Sequence, residues 1–223
     1  MQCGMRKEKI MDIKLFYTGP MQVNTYLCAD QETKKAFVVD PGGPSKPLAN
    51  YVASNGYEVE YIVLTHGHGD HICGVPYFKA LWKCPLVGHK DDIYLFNDAR
   101  ENMSTQFTGQ SIEFIPDILI EDGDELTVGS MKLKFMHTPG HTLGGISVLV
   151  DNVLFSGDTL FADSIGRTDF KGGSFAVLKK SVFTKMFVLP DDTHVLPGHM
   201  GQTTIGHEKV NNPFLNGKYD FMM

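Results

Sequence analysis

The segment Thr65 to His71 reads THGHGDH and sets His66, His68, Asp70 and His71 side by side, directly after the apolar run Tyr61 to Leu64. Imidazole nitrogens and carboxylate oxygens are ligands for borderline divalent ions, and a strand end is where a rigid sheet can present them on a loop. The interleaved Gly67 and Gly69 are expected to let the backbone fold tightly around one point. The same grammar recurs downstream. Leu133 to Met136 runs into Thr138-Pro139-Gly140-His141, Val153 to Phe155 into Ser156-Gly157-Asp158, and Val195-Leu196 into Pro197-Gly198-His199. Pro-Gly suits the central positions of a type II turn, so His141 and His199 are expected from one local device.

No cysteine stands at ligand spacing and no H-E-x-x-H helix is present, so the donor set is nitrogen and oxygen alone. The donors His66, His68, His71, His141, His199, Asp70 and Asp158 are too many for one tetrahedral ion and fit two if a carboxylate bridges. Two dications against Asp70, Asp158 and a bridging hydroxide leave a centre of about one positive charge, which favours a developing oxyanion. Water on such a centre has its pKa lowered to about 7, so hydrolysis needs no Ser, Cys or separate base. Asp70 and Asp158 are the carboxylates that take part in that chemistry. No further general acid stands out, which selects a leaving group that departs unprotonated. A thiolate with a pKa near 8.5 does so, and a thioester or an activated ester is the expected substrate.

The elements that must carry these residues read as alternating strands and helices. Early strands are expected at Ile13 to Tyr17, Val23 to Ala29 and Ala36 to Asp40, in a meander. Ser45 should cap a helix over Lys46 to Asn55, stopped by Gly56; a second helix spans Val75 to Trp82 and a third Ser174 to Lys185. Further strands are expected at Leu133 to Met136, Ile146 to Val150, Val153 to Phe155 and His194 to Leu196, followed by a polar Gly/Asn-rich tail. No linker divides the chain, so residues 1–223 read as one domain with 1–11 peripheral. No apolar stretch reaches the roughly 18 to 20 residues of a membrane span, and no secretory signal follows Met1; the cytoplasm is the expected compartment. The cysteines Cys3, Cys28, Cys73 and Cys84 are expected as free thiols in the packing. A net charge of −6, with arginine only at 6, 100 and 167, disfavours nucleic acid.

Together the motifs resemble the metallo-β-lactamase superfamily, and within it the short glyoxalase II (hydroxyacylglutathione hydrolase)-like branch. The resemblance rests on Val23-Asn24-Thr25-Tyr26, Asp40-Pro41-Gly42-Gly43, THGHGDH, the TPGH ending at His141, the SGD ending at Asp158, Gly166-Arg167-Thr168-Asp169 and the PGH ending at His199. It implies an α/β fold, a four-layer αβ/βα sandwich with two mixed sheets and the site along one edge. It also implies two divalent metal ions, zinc foremost with iron or manganese as alternatives: His66, His68 and His141 on the first, Asp70, His71 and His199 on the second, Asp158 between them. Asp158 stands where zinc β-lactamases of this fold carry cysteine, so antibiotic hydrolysis is not expected. Full-length glyoxalase II enzymes have a C-terminal helical domain that contacts glutathione, whereas only residues 200–223 follow His199. The alternatives are lactone or other ester hydrolysis, or the mononuclear-iron persulfide dioxygenase chemistry of the same fold.

Beside the ligands, Arg167 could pair with a substrate carboxylate or with Asp169, and Asp40 could accept a hydrogen bond from a ligand imidazole or simply hold its turn. Cys73 near His71, Trp82, His89, His137, His194 and His207 read as structural.

Overall fold

The computed structural model describes residues 11–216. The first sheet takes up β1 (Met11–Thr18), β2 (Val23–Asp30), β3 (Lys35–Val39), β4 (Glu58–Val63), β5 (Leu86–His89) and β6 (Ile118–Ile120), in that spatial order. Between its strands lie α1 (Lys46–Ser54), α2 (Gly69–Ile72), α3 (Val75–Trp82), α4 (Ile93–Phe96) and α5 (Ser104–Thr108). The second half supplies β7 (Glu125–Val128), β8 (Met131–His137), β9 (Ile146–Val150), β10 (Val153–Gly157), the ribbon β11 (Leu160–Phe161) with β12 (Ser164–Ile165), α6 (Phe175–Ser181), β13 (His194–Pro197), β14 (Thr203–Thr204) and α7 (Ile205–Asn211). Its sheet runs β14-β13-β10-β9-β8-β7.

Strand periodicity makes the layers. In β2, Tyr26 and Cys28 face the second sheet while Leu27 and Ala29 face the helices; in β3, Phe37 and Val39 part from Ala36 and Val38 in the same way. The inter-sheet core joins these residues to Leu133, Phe135, Val148 and Phe155, and an outer core packs α1 and α3 through Leu48, Val52, Val75 and Phe78. On the far side, Leu154 and Val195 meet Leu178 and Val182 of the α6 region and Ile205 of α7. The result is the expected αβ/βα sandwich, a metallo-β-lactamase fold of two mixed sheets flanked by helices.

β1, β2 and β3 form the expected meander, and β3, β4, β5 and β6 then run parallel. In the second sheet β8 and β10 both lie antiparallel to β9, and β13 lies parallel to β10. Hence the C-terminal ends of β3, β4, β8, β10 and β13 all open toward one edge, where ligands bind in open α/β sheets. Hydrogen bonds clamp the sheets there: Ile146 N donates to Thr65 O at 2.8 Å and Asn24 N to Gly198 O at 2.8 Å.

Several expectations are corrected. Met11 opens the edge strand β1, and residues 1–10, with Cys3, fall outside the described residues. Ser45 caps α1 as expected, through Leu48 N, and Ser174 caps α6, which closes in a wider π-type turn over Val182–Met186. The polar tail folds: β14 pairs with β13, and Thr204 caps α7 through His207 N. Strand β10 continues through Ser156 and Gly157, so only Asp158 leaves it in a turn. Cys28, Cys73 and Cys84 are buried free thiols, and Trp82 stacks on Phe78 at 4.5 Å. Among the described residues no helix is long and apolar enough to cross a membrane.

Asp30 ties the β2–β3 turn to the β7–β8 turn, accepting from Glu32 N, Thr33 N and Ser130 N at 2.9, 3.1 and 2.7 Å. Burial alone would raise its carboxyl, but these donors outweigh that and hold it well below the usual carboxylate range. A depressed folded-state pKa gives stability that is full above about pH 4 and lost as pH falls toward the folded value. Asp30→Asn should therefore lower the melting temperature at pH 7 and flatten its decline between pH 5 and 3; an unchanged acid limb in thermal unfolding would contradict this role.

Candidate metal centre

All of the chemically notable side chains from the four loops meet at the shared sheet edge. His66 and His68 come from the turn after β4, Asp70 and His71 from α2, His141 from the loop after β8, Asp158 from the end of β10 and His199 from the end of β13. Donor atoms of His66, His68 and His141 lie within 4.8 Å of one another, as do those of Asp70, His71 and His199. Asp158 stands between the groups: Oδ1 is 3.5 Å from His71 Nε2, and Oδ2 is 3.7 Å from both His141 Nε2 and His199 Nε2. His199 Nε2 is also 3.3 Å from Asp70 Oδ2.

The glycines act through space rather than through a left-handed backbone. A Cβ on Gly69 would lie 2.6 Å from the Ser104 backbone, and one on Gly67 2.5 Å from Leu95 Cβ. The type II expectation fails at Pro197-Gly198, because Gly198 lacks the positive φ that Gly140, at 130°, adopts. Glycine is needed at 198 because a Cβ would meet Asp158 Oδ1 at 2.4 Å and His71 Cε1 at 2.6 Å.

Outer hydrogen bonds set the tautomers. His141 Nδ1 donates to the Arg167 carbonyl at 2.7 Å, and His71 Nδ1 to Asp40 Oδ2 at 3.0 Å. The Thr65 hydroxyl donates to Asp40 Oδ2 at 2.5 Å, so it accepts from His66 Nδ1 at 3.1 Å. The Nδ1 of each ring is thereby committed outward and Nε2 is the inward atom, unprotonated on His66 and His141 and, on His71, the one that would give up its proton to a cation. His66 Nε2, His71 Nε2 and Asp158 Oδ1 are buried without a hydrogen-bond partner. Lone pairs and carboxylate oxygens thus face each other in a dry site, an arrangement that is costly alone and favourable around cations. The residues fit a divalent metal on this ground.

Titration behaviour agrees. Burial, reinforced by neighbouring imidazoles, pushes His66 well down and His68 down to about 3, and burial also lowers His141, so all three stay in the neutral form that ligates. His71 goes the other way. Burial lowers it, but Asp158, Asp70 and Asp40 outweigh that and raise it, which marks where the site most attracts positive charge. Asp158 is held well below the usual range: burial would raise it, and His71, His141 and His199 prevail.

Of the further residues, Asp40 accepts from His71 and from Thr65 N at 2.7 Å, so it orients a ring and holds its turn at once. Arg167 pairs with Asp169 through Nε and Nη2 at 2.7 and 2.6 Å and stacks over Phe170 at 3.9 Å. Cys73 packs in the outer core; His89 and His137 stack on each other, His207 bonds Asp163, and His194 begins β13. Sequence reasoning missed Asp92. It is fully buried and receives Gly67 N at 3.0 Å, the Thr142 hydroxyl at 2.8 Å and Gly144 N at 2.6 Å, joining the two loops that carry His66, His68 and His141. No spacing signals it, since its partners come from distant segments.

The metallo-beta-lactamase superfamily model matches residues 18–199, from the end of β1 to the last imidazole of the cluster. The chain belongs to the metallo-beta-lactamase superfamily. It is 35% identical to the hydroxyacylglutathione hydrolase GloC of Haemophilus influenzae, over 93% of this chain and 100% of that one. Its fold is similar to the crystal structure of BLEG-1 B3 metallo-beta-lactamase, with TM-score 0.86 and 37% identity over 92% of this chain and 100% of that one. It is also similar to TTHA1623 in a di-iron-bound form, with TM-score 0.78 and 30% identity over 91% of this chain and 100% of that one. Superfamily members are hydrolases that bind divalent metals, often two, and the His/Asp groups found here suit that chemistry.

Within this superfamily member, Asp92→Ala strands two buried N–H donors and a hydroxyl. At about 1–3 kcal/mol for an unsatisfied buried group, unfolding free energy should fall by roughly 2–4 kcal/mol and bound metal per chain should drop. Asp92→Asn, which keeps one acceptor oxygen, should recover part of both. Denaturant melts with elemental analysis decide, and wild-type values for the alanine variant would contradict the role.

Proposed function

We propose that this protein hydrolyses a small thioester, hydroxyacylglutathione or a related compound, using two divalent ions, with zinc first and iron or manganese as alternatives. His66, His68 and His141 would hold one ion, Asp70, His71 and His199 the other, and Asp158 both. The observation that carries the reading is Asp158, whose two oxygens face imidazoles of both groups at 3.5 and 3.7 Å. Such ions supply Lewis acidity and a nucleophile at neutral pH.

The chain's own part is positioning and exclusion of water. Asp40, Thr65 and the Arg167 carbonyl hold the rings in the ligating tautomer. The cluster opens into a cleft of about 440 Å³ walled by Met21, Met103, Phe107, Phe161, Ile165 and Phe170. Among the described residues no Tyr, Lys, Cys or Glu lines it, and its titratable groups are proposed ligands and Arg167. A leaving group must therefore depart without a dedicated proton donor, which favours a thiolate over an alkoxide or an amine. This is the ground for a thioester over a lactone or a β-lactam. Arg167 stands at the cleft with its guanidinium more than half exposed, and we assign it to a carboxylate of the substrate, in exchange with Asp169.

The expected result of elemental analysis is two metal ions per chain, and of chelation a loss of thioester hydrolysis that returns with added metal. Asp158→Ala should lower kcat at least a hundredfold and reduce the metal content. One iron per chain with oxygen consumed on a glutathione persulfide would replace this reading by a dioxygenase, and faster turnover of lactones or β-lactams than thioesters would move the substrate class.

Arg167→Ala should raise KM about tenfold for a thioester carrying a carboxylate and leave an uncharged thioester near its original KM. Equal effects on the two substrates would remove the assignment.

A further inference from the structure

Beside the cleft, the sandwich is open at the edge where β1 ends one sheet and the two-residue β14 ends the other. The opening is an apolar pocket of about 520 Å³. Its floor is the inward face of β1, Ile13, Leu15 and Tyr17, with Tyr26 of β2; Val153 and Leu196 form the opposite wall. His194 and Gln202 give it a polar end, and among the described residues no Asp, Glu, Lys or Arg lines it.

Two features join this pocket to the reacting centre. Met200, next in the chain to His199, lines both the pocket and the cleft. Met21, at the cleft wall, follows the strand that floors the pocket. Leu15, Tyr17, Met21 and Met200 are all exposed, so apolar side chains stand at the mouths of both cavities. The connecting loop is held firmly: Asn24 Nδ2 donates to Pro197 O and Met200 O at 2.9 Å, and the Tyr26 hydroxyl to Pro197 O at 3.0 Å.

We propose that this pocket binds an unbranched apolar acyl chain of the substrate, making Leu15, Tyr17 and Met200 determinants of chain-length specificity. The proposal rests on the reading of the cleft as the hydrolytic centre and extends it to the substrate class. The stretch formed by Ile13, Leu15, Val153, Leu196 and Met200 offers an anionic group no counter-charge, whereas each methylene moved there from water is favoured. The continuity through Met200 favours part of the molecule being cleaved over a separate ligand.

The test has a binding arm and a kinetic arm, both on the full chain. S-butyl- and S-decyl-N-acetylcysteamine, thioethers that cannot be hydrolysed, are titrated calorimetrically into the protein with and without metal. The decyl compound should bind at least tenfold tighter in both forms, and Leu15→Asp should abolish the difference. Tyr17→Asp, at a more exposed position, serves as the second variant, with thermal melts to show that both fold. In the kinetic arm, KM along a butanoyl, octanoyl and dodecanoyl thioester series should fall several-fold per step in the wild type and stay flat in the variants. Equal affinity for the two thioethers overturns the proposal. So does a change of sedimentation mass in Leu15→Asp, which would assign the strip to a second copy of the chain. If no thioester is cleaved while decyl binding keeps its preference, the hydrolytic reading fails and the chain-binding pocket stands.

Discussion

The centre depends on one electrostatic constraint: buried lone pairs and carboxylate oxygens are brought together with too few protons to go round. His66, His71 and His141 have spent their Nδ1 protons on Thr65, Asp40 and the Arg167 carbonyl, so the inward nitrogens are the ones left for a cation. Asp158, held ionised by His71, His141 and His199 against its burial, adds negative charge in their midst. Cations reconcile these groups, and the rest of the fold holds them in place until cations arrive.

That holding is done by buried side chains that touch no substrate. Asp40 joins the end of β3 to Thr65 and His71, Asp92 joins the loops after β4 and β8, and Asn24 joins β2 to the loop of His199. All three bond backbone and so set the course of a loop, and Asp40 sets the aim of a ring as well. The sheets alone could not achieve this, because a strand end fixes where a loop begins and leaves open where it points.

The cleft gives the centre its chemical bias. Its wall is largely apolar, which strengthens electrostatic interactions beside it, and among the described residues no Tyr, Lys, Cys or Glu lines it, which on the proposed reading restricts the bonds that can be broken. The chain is similar both to a protein named as a hydroxyacylglutathione hydrolase and to one named as a B3 metallo-beta-lactamase, so one fold goes with differently named activities.

The sequence by itself determined the donor set and its placement after strands, since THGHGDH, TPGH, SGD and PGH each follow a run of apolar residues whose burial the hydrophobic effect dictates. The capped helix α1, the bounds of α3 and the strand β9 were legible for the same local reason, whereas the one-turn helices α2 and α4 are too short for periodicity to register. Only the tertiary structure decided which ends share an edge, because the parallel pairings of β3 with β4 and β10 with β13 join segments whose complementarity no local pattern encodes. It alone exposed Asp92, and it alone explained Gly198, needed for the room that Asp158 and His71 take up rather than for a turn dihedral. Local preferences are written along the chain; a close approach between distant segments exists only once they are packed together.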